Sequence, residues 1–286
     1  MIDGNTNLLG LIGNPVEHSF SPVMHNAAFK ELKLNYVYLP FKVEKENLKN
    51  VITGANSLNI KGLNVTIPYK IDIIKYLDNL DPIAKLIGAV NTIDLNRMKG
   101  YNTDGIGALK AIEEITNIKN KKLVITGAGG ASRAISFQFA NSAIDELVII
   151  NRNEKKAVLL AKEIKNSGLH DNVKYGSLSE LKNELSNADI FIDTTPIGMD
   201  PNINDEPIAN SKILHEDLIV NDIVYNPLET SLIKEAKKVN AKTVSGLKML
   251  IYQGAESFKI WTGEDAPIDI MEKAILNILW LYGFIF

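Results

Sequence analysis

The sequence predicts an α/β fold, in which short buried strands alternate with helices along the chain. Apolar runs at residues 8–12, 123–126 and 147–150 are each stopped by glycine, proline or asparagine. Runs of this length between helical stretches are typical of parallel strands that are buried on both faces. The alternation occurs in the first hundred residues and again beyond residue 121, with no repeat between the halves. We therefore predict two α/β regions.

The composition is that of an ordinary globular protein. The chain has 286 residues, of which 45% are hydrophobic and 23% charged, and its formal net charge is −3. This length suits one large or two medium domains. The mildly acidic balance, without a basic patch, argues against nucleic acid as a partner. Without cysteine there are no disulfides and no thiolate chemistry, and four scattered histidines argue against a zinc site, so we expect no metal.

No segment predicts export or membrane insertion. Residues 1–7 lack the pattern of a signal peptide. The longest apolar stretch, residues 275–286, is interrupted by Asn277 and Gly283 and is too short to span a bilayer. We expect a terminal helix that packs on the core, with an exposed tail or a homodimer contact as the alternative. The expected location is the cytoplasm.

The strand at 123–126 runs into a glycine-rich turn, and residues 134–140 can form a helix after it. This order directs free backbone N–H groups and the positive end of a helix dipole towards a phosphate. Glycine is needed because a Cβ would hold the backbone away from a pyrophosphate. Ser132 stands where the usual G-x-G-x-x-G pattern has its third glycine. The pattern predicts a Rossmann-type site that binds a dinucleotide through Gly127, Ala128, Gly129, Gly130 and Ala131.

The end of the next strand predicts which dinucleotide is bound. An NAD site usually carries Asp or Glu about 20 residues after the glycines, where the carboxylate accepts from the ribose 2′-hydroxyl. Here Asn151 lies 22 residues after Gly129 and is followed by Arg152 and Lys156. A neutral amide followed by two cations attracts a 2′-phosphate, which a carboxylate would repel. We predict NADP, with NAD as the alternative, because Lys155 and Lys156 also suit a solvated basic helix start.

The first strand is followed by two serines and a proline. Ser21 with Pro22 behind it predicts a helix N-terminus capped by the Ser21 hydroxyl. Ser19 has no such structural role and is a candidate ligand contact. His18 and His25 are more typical of turn or core histidines, and we assign them no chemistry.

Further polar residues lie where the next predicted strands end. Asn64 and Thr66 are two residues apart and share one face of an extended segment. Lys70 follows at the start of a helix predicted over 70–77, at a strand's carboxyl end, where α/β proteins bind substrates. Asn91 lies inside a predicted strand over 88–94 and needs a partner, protein or ligand, because burying an unpaired amide is costly. Asp104 is a candidate helix cap or a residue of the cleft.

Eight ordered sequence blocks make the chain resemble the shikimate dehydrogenase family over essentially its whole length. They are GNP at 13–15 with HSFSP at 18–22, NVTIPYK at 64–70, GAVNT at 88–92, NTDG at 102–105, GAGGAS at 127–132, NR at 151–152, YNP at 225–227, and residues 246–255. The resemblance implies reversible NADPH-dependent reduction of 3-dehydroshikimate to shikimate in aromatic amino-acid biosynthesis. It also implies a substrate-binding domain at 1–103, a Rossmann NADP domain at 104–246, and C-terminal helices at 247–286 that pack back on the substrate domain.

The resemblance also assigns roles to individual residues. Lys70 would be the acid/base and Asp104 its partner, in the cleft between the domains. Ser19 and Ser21 would hold the substrate carboxylate at a helix start, where the dipole favours an anion. The ring hydroxyls would be bound by Asn64, Thr66, Asn91, Tyr225 and Gln253. The glycine loop would contact the pyrophosphate, and the remaining cofactor contacts would come from Asn151, Arg152, Lys156, Ile223 and Gly246.

Two residues depart from the family pattern. Ile223 stands where methionine is common, and Lys248 stands at the second glycine of the common GLGML block, which leaves the local backbone shape open. The alternative enzyme is a quinate/shikimate dehydrogenase that uses NAD or NADP. An alternative of another class is a non-catalytic nucleotide-sensing module, which should lack Lys70 or Asp104; both are present.

Overall fold

The computed structural model describes residues 2–281, which form two compact units. The first unit contains the described residues up to Thr103 together with those from Ile251 onward, and the second unit spans Asp104–Leu250. Each unit has its own six-stranded sheet with helices, so the predicted fold class is confirmed. Among residues 2–281, no helix combines the length and hydrophobicity that crossing a membrane requires.

The first unit begins with alternating strands and helices, and its first segment ends, before residue 102, with two successive strands. Its elements are β1 (Asn7–Gly13), α1 (Ser21–Glu31), β2 (Tyr36–Lys42), α2 (Leu48–Ser57), β3 (Gly62–Val65), β4 (Asn79–Leu80), α3 (Pro82–Ile87), β5 (Thr92–Asp94) and β6 (Lys99–Tyr101). The sheet order is β2-β1-β3-β5-β6-β4. The parallel pairing expected for this half holds for β1 with β2 and β3, whereas β5 is antiparallel to both of its neighbours.

The second unit is a doubly wound sheet. Its elements are α4 (Asp104–Glu113), β7 (Lys122–Thr126), α5 (Gly130–Ala140), β8 (Glu146–Ile150), α6 (Glu154–Asn166), β9 (Val173–Gly176), α7 (Leu181–Leu185), β10 (Ile190–Asp193), β11 (Ile219–Asp222), α8 (Ser231–Lys238) and β12 (Lys242–Val244). All strands are parallel in the order β12-β11-β10-β7-β8-β9. The strand order reverses between β7 and β10, which is where such sheets bind ligands.

Two helices follow the second sheet. Helix α9 (Gly246–Thr262) belongs to the second unit up to Leu250 and to the first from Ile251, and α10 (Ile268–Leu281) packs against α1. Helix α10 buries Met271, Ile275 and Leu279, whose spacing of four places them on one face. The sequence predicts a last helix from Ile268 to about Tyr282. That residue, with the rest of the apolar tail, lies outside the described residues.

A cluster of aromatic rings in the first unit surrounds His25. This imidazole on α1 has no exposed surface and stacks on Tyr38, with ring centroids 4.6 Å apart. Phe258 and Trp261 of α9 contact it from another side. Burial lowers the pKa of His25 to about 3, so the ring is neutral and belongs to the apolar core, as expected.

Short elements escaped the sequence analysis. Strands β4, β6 and β9 and helix α7 have two to five residues each, and neither the period of a strand nor that of a helix is visible over so few positions. The sequence predicts a helix over 43–57, but α2 begins only at Leu48, after a 3₁₀ turn at Lys45–Asn47. The sequence predicts a strand over 218–225, but β11 ends at Asp222, which leaves Ile223 and Tyr225 in the following loop.

Candidate active site

The serine turn before α1 differs from the prediction. The helix begins at Ser21 and Phe20 occupies the cap position, with no side-chain cap bond. The predicted cap role of Ser21 is therefore wrong. A capping residue lies just before the first helical residue, whereas Ser21 is itself the first helical residue. Instead the Ser19 Oγ accepts from the Ser21 N–H at 3.2 Å. The first turn of α1 carries no acidic side chain, so its N-terminus can receive an anion.

Asn64, in the buried strand β3, is held on all sides. The Tyr38 hydroxyl donates to its Oδ1 at 2.7 Å. Its Nδ2 lies 3.0 Å from the Asn91 carbonyl oxygen, 3.0 Å from the Thr92 Oγ1 and 3.1 Å from the Ser257 Oγ. The side chain is thus oriented by groups from β2, β5 and α9.

Asn91 lies one residue before β5, so the prediction of an asparagine inside a strand is wrong. Its Oδ1 accepts from the Thr103 N–H at 2.9 Å, and its Nδ2 is 2.9 Å from the Thr103 Oγ1 and 3.4 Å from the Gln253 Oε1. The expected partners of the buried amide are therefore protein groups. The structure brings together three predicted substrate residues, Asn64, Asn91 and Gln253, in one hydrogen-bonded cluster of the first unit.

Four members of this cluster were not predicted from the sequence. They are Tyr38, Thr92, Thr103 and Ser257. Two of them stood inside the quoted blocks GAVNT and NTDG, so a signal was present. Ser257 follows Gln253 by four residues on α9 and lies on the same helix face.

The loop after β3 carries Thr66 and Lys70. The Thr66 N–H donates to the Ile12 carbonyl at 2.9 Å, and the Lys70 carbonyl accepts from the Val90 N–H at 2.7 Å. The backbone of Lys70 is therefore held next to the residue that precedes Asn91. Lys70 lies before a 3₁₀ helix at Asp72–Tyr76, so the prediction of a helix starting at Lys70 is wrong. Its side chain is partly buried.

The glycine loop between β7 and α5 has the form that a pyrophosphate needs. Gly127 has a φ of +103°, and an added Cβ would overlap the Thr194 hydroxyl. The buried Ser132 Oγ donates to the Gly127 carbonyl at 2.8 Å, so this serine stabilises the loop from the third glycine's position. A Cβ added at Gly129 or Gly130 meets no atom within 4 Å, which leaves open space above the N-terminus of α5. These residues fit a dinucleotide phosphate.

The residues after β8 present cations to solvent. Arg152 and Lys156 are exposed, and the Asn151 Nδ2 donates to the Asn153 carbonyl at 2.8 Å. No acidic residue stands at the end of β8, where an NAD site has its carboxylate. The arrangement fits a phosphate on the ribose 2′ position.

Two predicted nicotinamide contacts, Ile223 and Gly246, meet in the second unit. A Cβ at Gly246 would overlap the Ile223 carbonyl group, so only glycine allows this approach. Lys248 lies in the first turn of α9, where its N–H donates to the Ser245 carbonyl at 3.1 Å and its Nζ is 3.5 Å from the Glu114 Oε2. The question about Lys248 is thereby answered, because this residue is part of a regular helix. Tyr225 and Asp104 also belong to the second unit.

Two buried carboxyl groups that the sequence analysis passed over end β10 and β11. The sheet register pairs Asp193 with Asp222, and neither is more than 1% exposed. Asp193 accepts from the Thr126 Oγ1 at 2.7 Å and Asp222 from the Thr230 Oγ1 at 2.6 Å. Burial raises the pKa of both, that of Asp222 to about 7, where the charge of Asp193 adds to the effect.

This pKa predicts a pH-dependent stability. The folded protein holds the Asp222 proton up to a pH of about 7, whereas the unfolded chain releases it near 3.8. Between these values the folded state binds more protons, so the free energy of unfolding should fall as the pH rises, by up to about 1.4 kcal/mol per unit. Denaturant titrations across this range should show the slope in the wild type and a smaller one in Asp222→Asn. Asp171→Asn, at an exposed site of the same unit, controls for the charge change. An unaltered slope in Asp222→Asn would contradict the assignment.

The fold and the glycine loop define a dinucleotide-binding α/β protein. Three family models match the chain: the shikimate dehydrogenase substrate binding domain over residues 11–93, shikimate / quinate 5-dehydrogenase over 109–250, and the shikimate 5′-dehydrogenase C-terminal domain over 246–276. The chain therefore belongs to the shikimate dehydrogenase family, as the sequence blocks predicted.

Similar proteins cover nearly the whole chain. A shikimate dehydrogenase (NADP(+)) of Methanobrevibacter smithii is 62% identical over 279 residues, which are 98% of this chain and 99% of that protein. A crystal structure of a shikimate dehydrogenase in complex with NADP+ has a TM-score of 0.92 and 55% identity, with 97% of each chain covered. The shikimate 5-dehydrogenase of Listeria monocytogenes, crystallised with shikimate and NAD, has a TM-score of 0.91 and 38% identity, covering 96% of this chain and 98% of that one.

Proposed function

We propose that this protein catalyses the reversible NADPH-dependent reduction of 3-dehydroshikimate to shikimate in aromatic amino-acid biosynthesis. The observation that carries the proposal is the cluster of Asn64, Asn91 and Gln253, three amides from distant segments gathered in one unit. Such a group suits a small ring with several hydroxyls, since amides both donate and accept. Two relatives that cover 98% and 97% of this chain are named shikimate dehydrogenases.

The two units divide the work. Residues 1–103, with the C-terminal helices at 247–286, would bind the substrate, and residues 104–246 would bind the cofactor. In the first part, Ser19 and Ser21 would hold the carboxylate at the N-terminus of α1, whose first turn carries no acidic side chain. The ring hydroxyls would be bound by Asn64, Thr66, Asn91, Tyr225 and Gln253.

The cofactor residues follow from the shape of the second unit. The pyrophosphate would lie over the loop from Gly127 to Ala131, in the open space at Gly129 and Gly130. Arg152 and Lys156 would pair with the 2′-phosphate, and Asn151 would lie beside them. Ile223 and Gly246 would border the nicotinamide.

Proton transfer is the chemical step that the chain itself must perform. When bound, NADPH supplies the hydride that reduces the ketone carbon. Lys70 would donate a proton to the oxygen that becomes the hydroxyl, and would stabilise the negative charge that develops on it. In the oxidation direction the same group would accept that proton. Asp104 would orient the ammonium group.

The test is a spectrophotometric assay of the purified protein with shikimate and NADP+, in parallel with quinate and with NAD+. Turnover that is strongest with shikimate and NADP+ is expected. Comparable turnover with quinate or NAD+ would favour the quinate/shikimate dehydrogenase alternative, which the shikimate / quinate family model keeps open. NADP+ binding without turnover of either acid would favour the nucleotide-sensing alternative.

Two further features belong to this proposal. The cytoplasm is the expected compartment for this pathway.

Trp280 and Leu281, which are 72% and 71% exposed at the end of α10, support the proposal of a homodimer. Sedimentation of the wild type and of Trp280→Ser would test this association.

Gly129→Ala is expected to weaken NADP+ binding while the unfolding temperature stays near that of the wild type. The added Cβ meets no protein atom within 4 Å, so only a bound phosphate would be displaced. Loss of one charge-assisted hydrogen bond corresponds to an increase in Kd of about tenfold to a hundredfold. Calorimetric titration with NADP+ and thermal unfolding measure the two quantities.

Gly127→Ala is the matched comparison. Its φ of +103° and the overlap with the Thr194 hydroxyl should lower the unfolding temperature as well. If Gly129→Ala binds NADP+ as tightly as the wild type does, the phosphate does not lie over this loop.

A further inference from the structure

We propose that Thr92 is a positioning residue, whose hydroxyl holds the amide groups of Asn64 and Asn91 in the orientation in which they bind the substrate. The inference rests on the proposed function, because it takes both amides to be substrate ligands. Thr92 itself would not touch the substrate.

Thr92 lies at the centre of the amide cluster. It is the first residue of β5 and has no exposed surface. Its Oγ1 is 3.0 Å from the Asn64 Nδ2, 2.9 Å from the Asn91 Oδ1 and 2.7 Å from the Ser257 Oγ. One hydroxyl therefore links two amides that are 27 residues apart in the chain.

The direction of each hydrogen bond follows from the chemistry of the partners. The Thr103 N–H donates to the Asn91 Oδ1, which identifies that atom as the amide oxygen. An amide oxygen only accepts, so the Thr92 hydroxyl gives its one hydrogen to Asn91. The Asn64 Nδ2 only donates, so Thr92 accepts from it. Ser257 can then donate its own hydrogen to Thr92, to the Gln253 carbonyl at 3.0 Å or to the Thr103 Oγ1 at 3.3 Å.

The directions of these hydrogen bonds determine which atoms of Asn64 can bind a ligand. The N–H groups of Asn64 are directed at three protein acceptors: the Asn91 carbonyl, Thr92 and Ser257. Its Oδ1 already accepts from Tyr38 and has a second lone pair. Asn64 would thus act as an acceptor, and the ring position that it binds must carry a hydroxyl in both the substrate and the product.

Removing the Thr92 hydroxyl should leave the fold intact. In Thr92→Val, Asn64 keeps the Asn91 carbonyl and Ser257 as acceptors, and the Asn91 Oδ1 keeps the Thr103 N–H. A large loss of stability is expected when a buried polar group loses its last hydrogen-bond partner. No buried polar group does so in Thr92→Val. What is lost is the link between the two amides.

Kinetics of Thr92→Val and Thr92→Ser test the proposal. We expect Thr92→Val to raise KM for shikimate by about tenfold, with kcat, KM for NADP+ and the unfolding temperature changed little. Thr92→Ser restores the hydroxyl and should return KM close to the wild-type value. If Thr92 contributes only packing, Thr92→Ser should raise KM for shikimate more than Thr92→Val does, because valine keeps the shape of threonine and serine leaves a cavity.

A control variant and a double mutant complete the test. Thr262→Val removes a threonine hydroxyl of the same unit that bonds to the Phe258 carbonyl and the Glu264 N–H, and it should leave KM for shikimate unchanged. In an Asn64→Ala background, Thr92→Val should raise KM by a smaller factor than it does alone, because one amide that it orients is gone. Full additivity would refute the positioning role.

The outcomes separate this inference from the proposed function. If the wild type turns over shikimate and Thr92→Val matches it, the positioning role fails and the function stands. The positioning role also fails if serine is worse than valine at this position. If the wild type does not turn over shikimate, the function fails and the role of Thr92 falls with it.

Discussion

Replacing either member of the proposed catalytic pair, by Lys70→Ala or Asp104→Asn, is expected to lower kcat for shikimate oxidation by a factor on the order of 10²–10⁴. Lys70 would exchange the proton of the reacting hydroxyl, so its loss acts on the chemical step and changes KM for shikimate much less. The Val90 N–H donates to the Lys70 carbonyl, a main-chain bond that alanine retains, so the loop should keep its course. Steady-state kinetics in both reaction directions measure the loss.

Lys75→Ala is the matched control, because it removes a charge from the exposed side of the 3₁₀ helix that follows Lys70. It should keep wild-type kcat. Added methylamine should restore part of the activity of Lys70→Ala, since a small amine can replace the missing proton donor. A Lys70→Ala variant with near wild-type kcat would exclude Lys70 as the acid/base. If only Asp104→Asn kept full activity, the orienting role of Asp104 would be wrong and that of Lys70 would remain.

The second large effect is expected at the 2′-phosphate. Arg152→Ala should raise the Kd for NADP+ by about tenfold to a hundredfold, because a charge-assisted hydrogen bond contributes roughly 1.5–3 kcal/mol. Affinity for NAD+, which lacks this phosphate, should change little. Arg152 is exposed and directly follows Asn151, the first residue after β8, so its removal should not disturb the fold. Calorimetric titrations with both dinucleotides measure the two affinities.

Lys155→Ala and Lys156→Ala provide the comparison for this prediction. Both lysines are exposed in the first turn of α6, and only Lys156 is assigned to the phosphate. We expect Lys156→Ala to weaken NADP+ binding and Lys155→Ala to leave it unchanged. Equal losses for NADP+ and NAD+ in Arg152→Ala would show that this residue does not recognise the 2′-phosphate.

Strands β7 and β8 of the second unit were predicted well for a physical reason. β7, β8 and β10 are buried on both faces, so they appear in the sequence as continuous apolar runs with sharp polar or glycine ends. The loop between β7 and α5 was equally predictable, because its backbone conformation requires glycine at Gly127. At these positions the local sequence is sufficient to determine the backbone structure.

The elements around Lys70 and Asn91 were predicted less well. The helix expected over 70–77 is a 3₁₀ turn that starts at Asp72, and Asn91 precedes β5. In both places long-range hydrogen bonds override local preference. The Val90 N–H binds the Lys70 carbonyl, and the Thr103 N–H binds the Asn91 side chain. Such bonds leave no periodic signal.

By itself, the sequence determined the α/β class, the family, the dinucleotide loop and the cations that favour NADP over NAD. Each of these features depends on particular residue types that are close together in the sequence, so it can be recognised without knowing the tertiary structure. Only the tertiary structure decided which polar groups meet: that Thr92 joins Asn64 to Asn91, that Ser257 closes the cluster from 193 residues away, and that Asp193 faces Asp222. The direction of a buried hydrogen bond depends on which donors and acceptors surround it, and that environment exists only after distant segments have packed together.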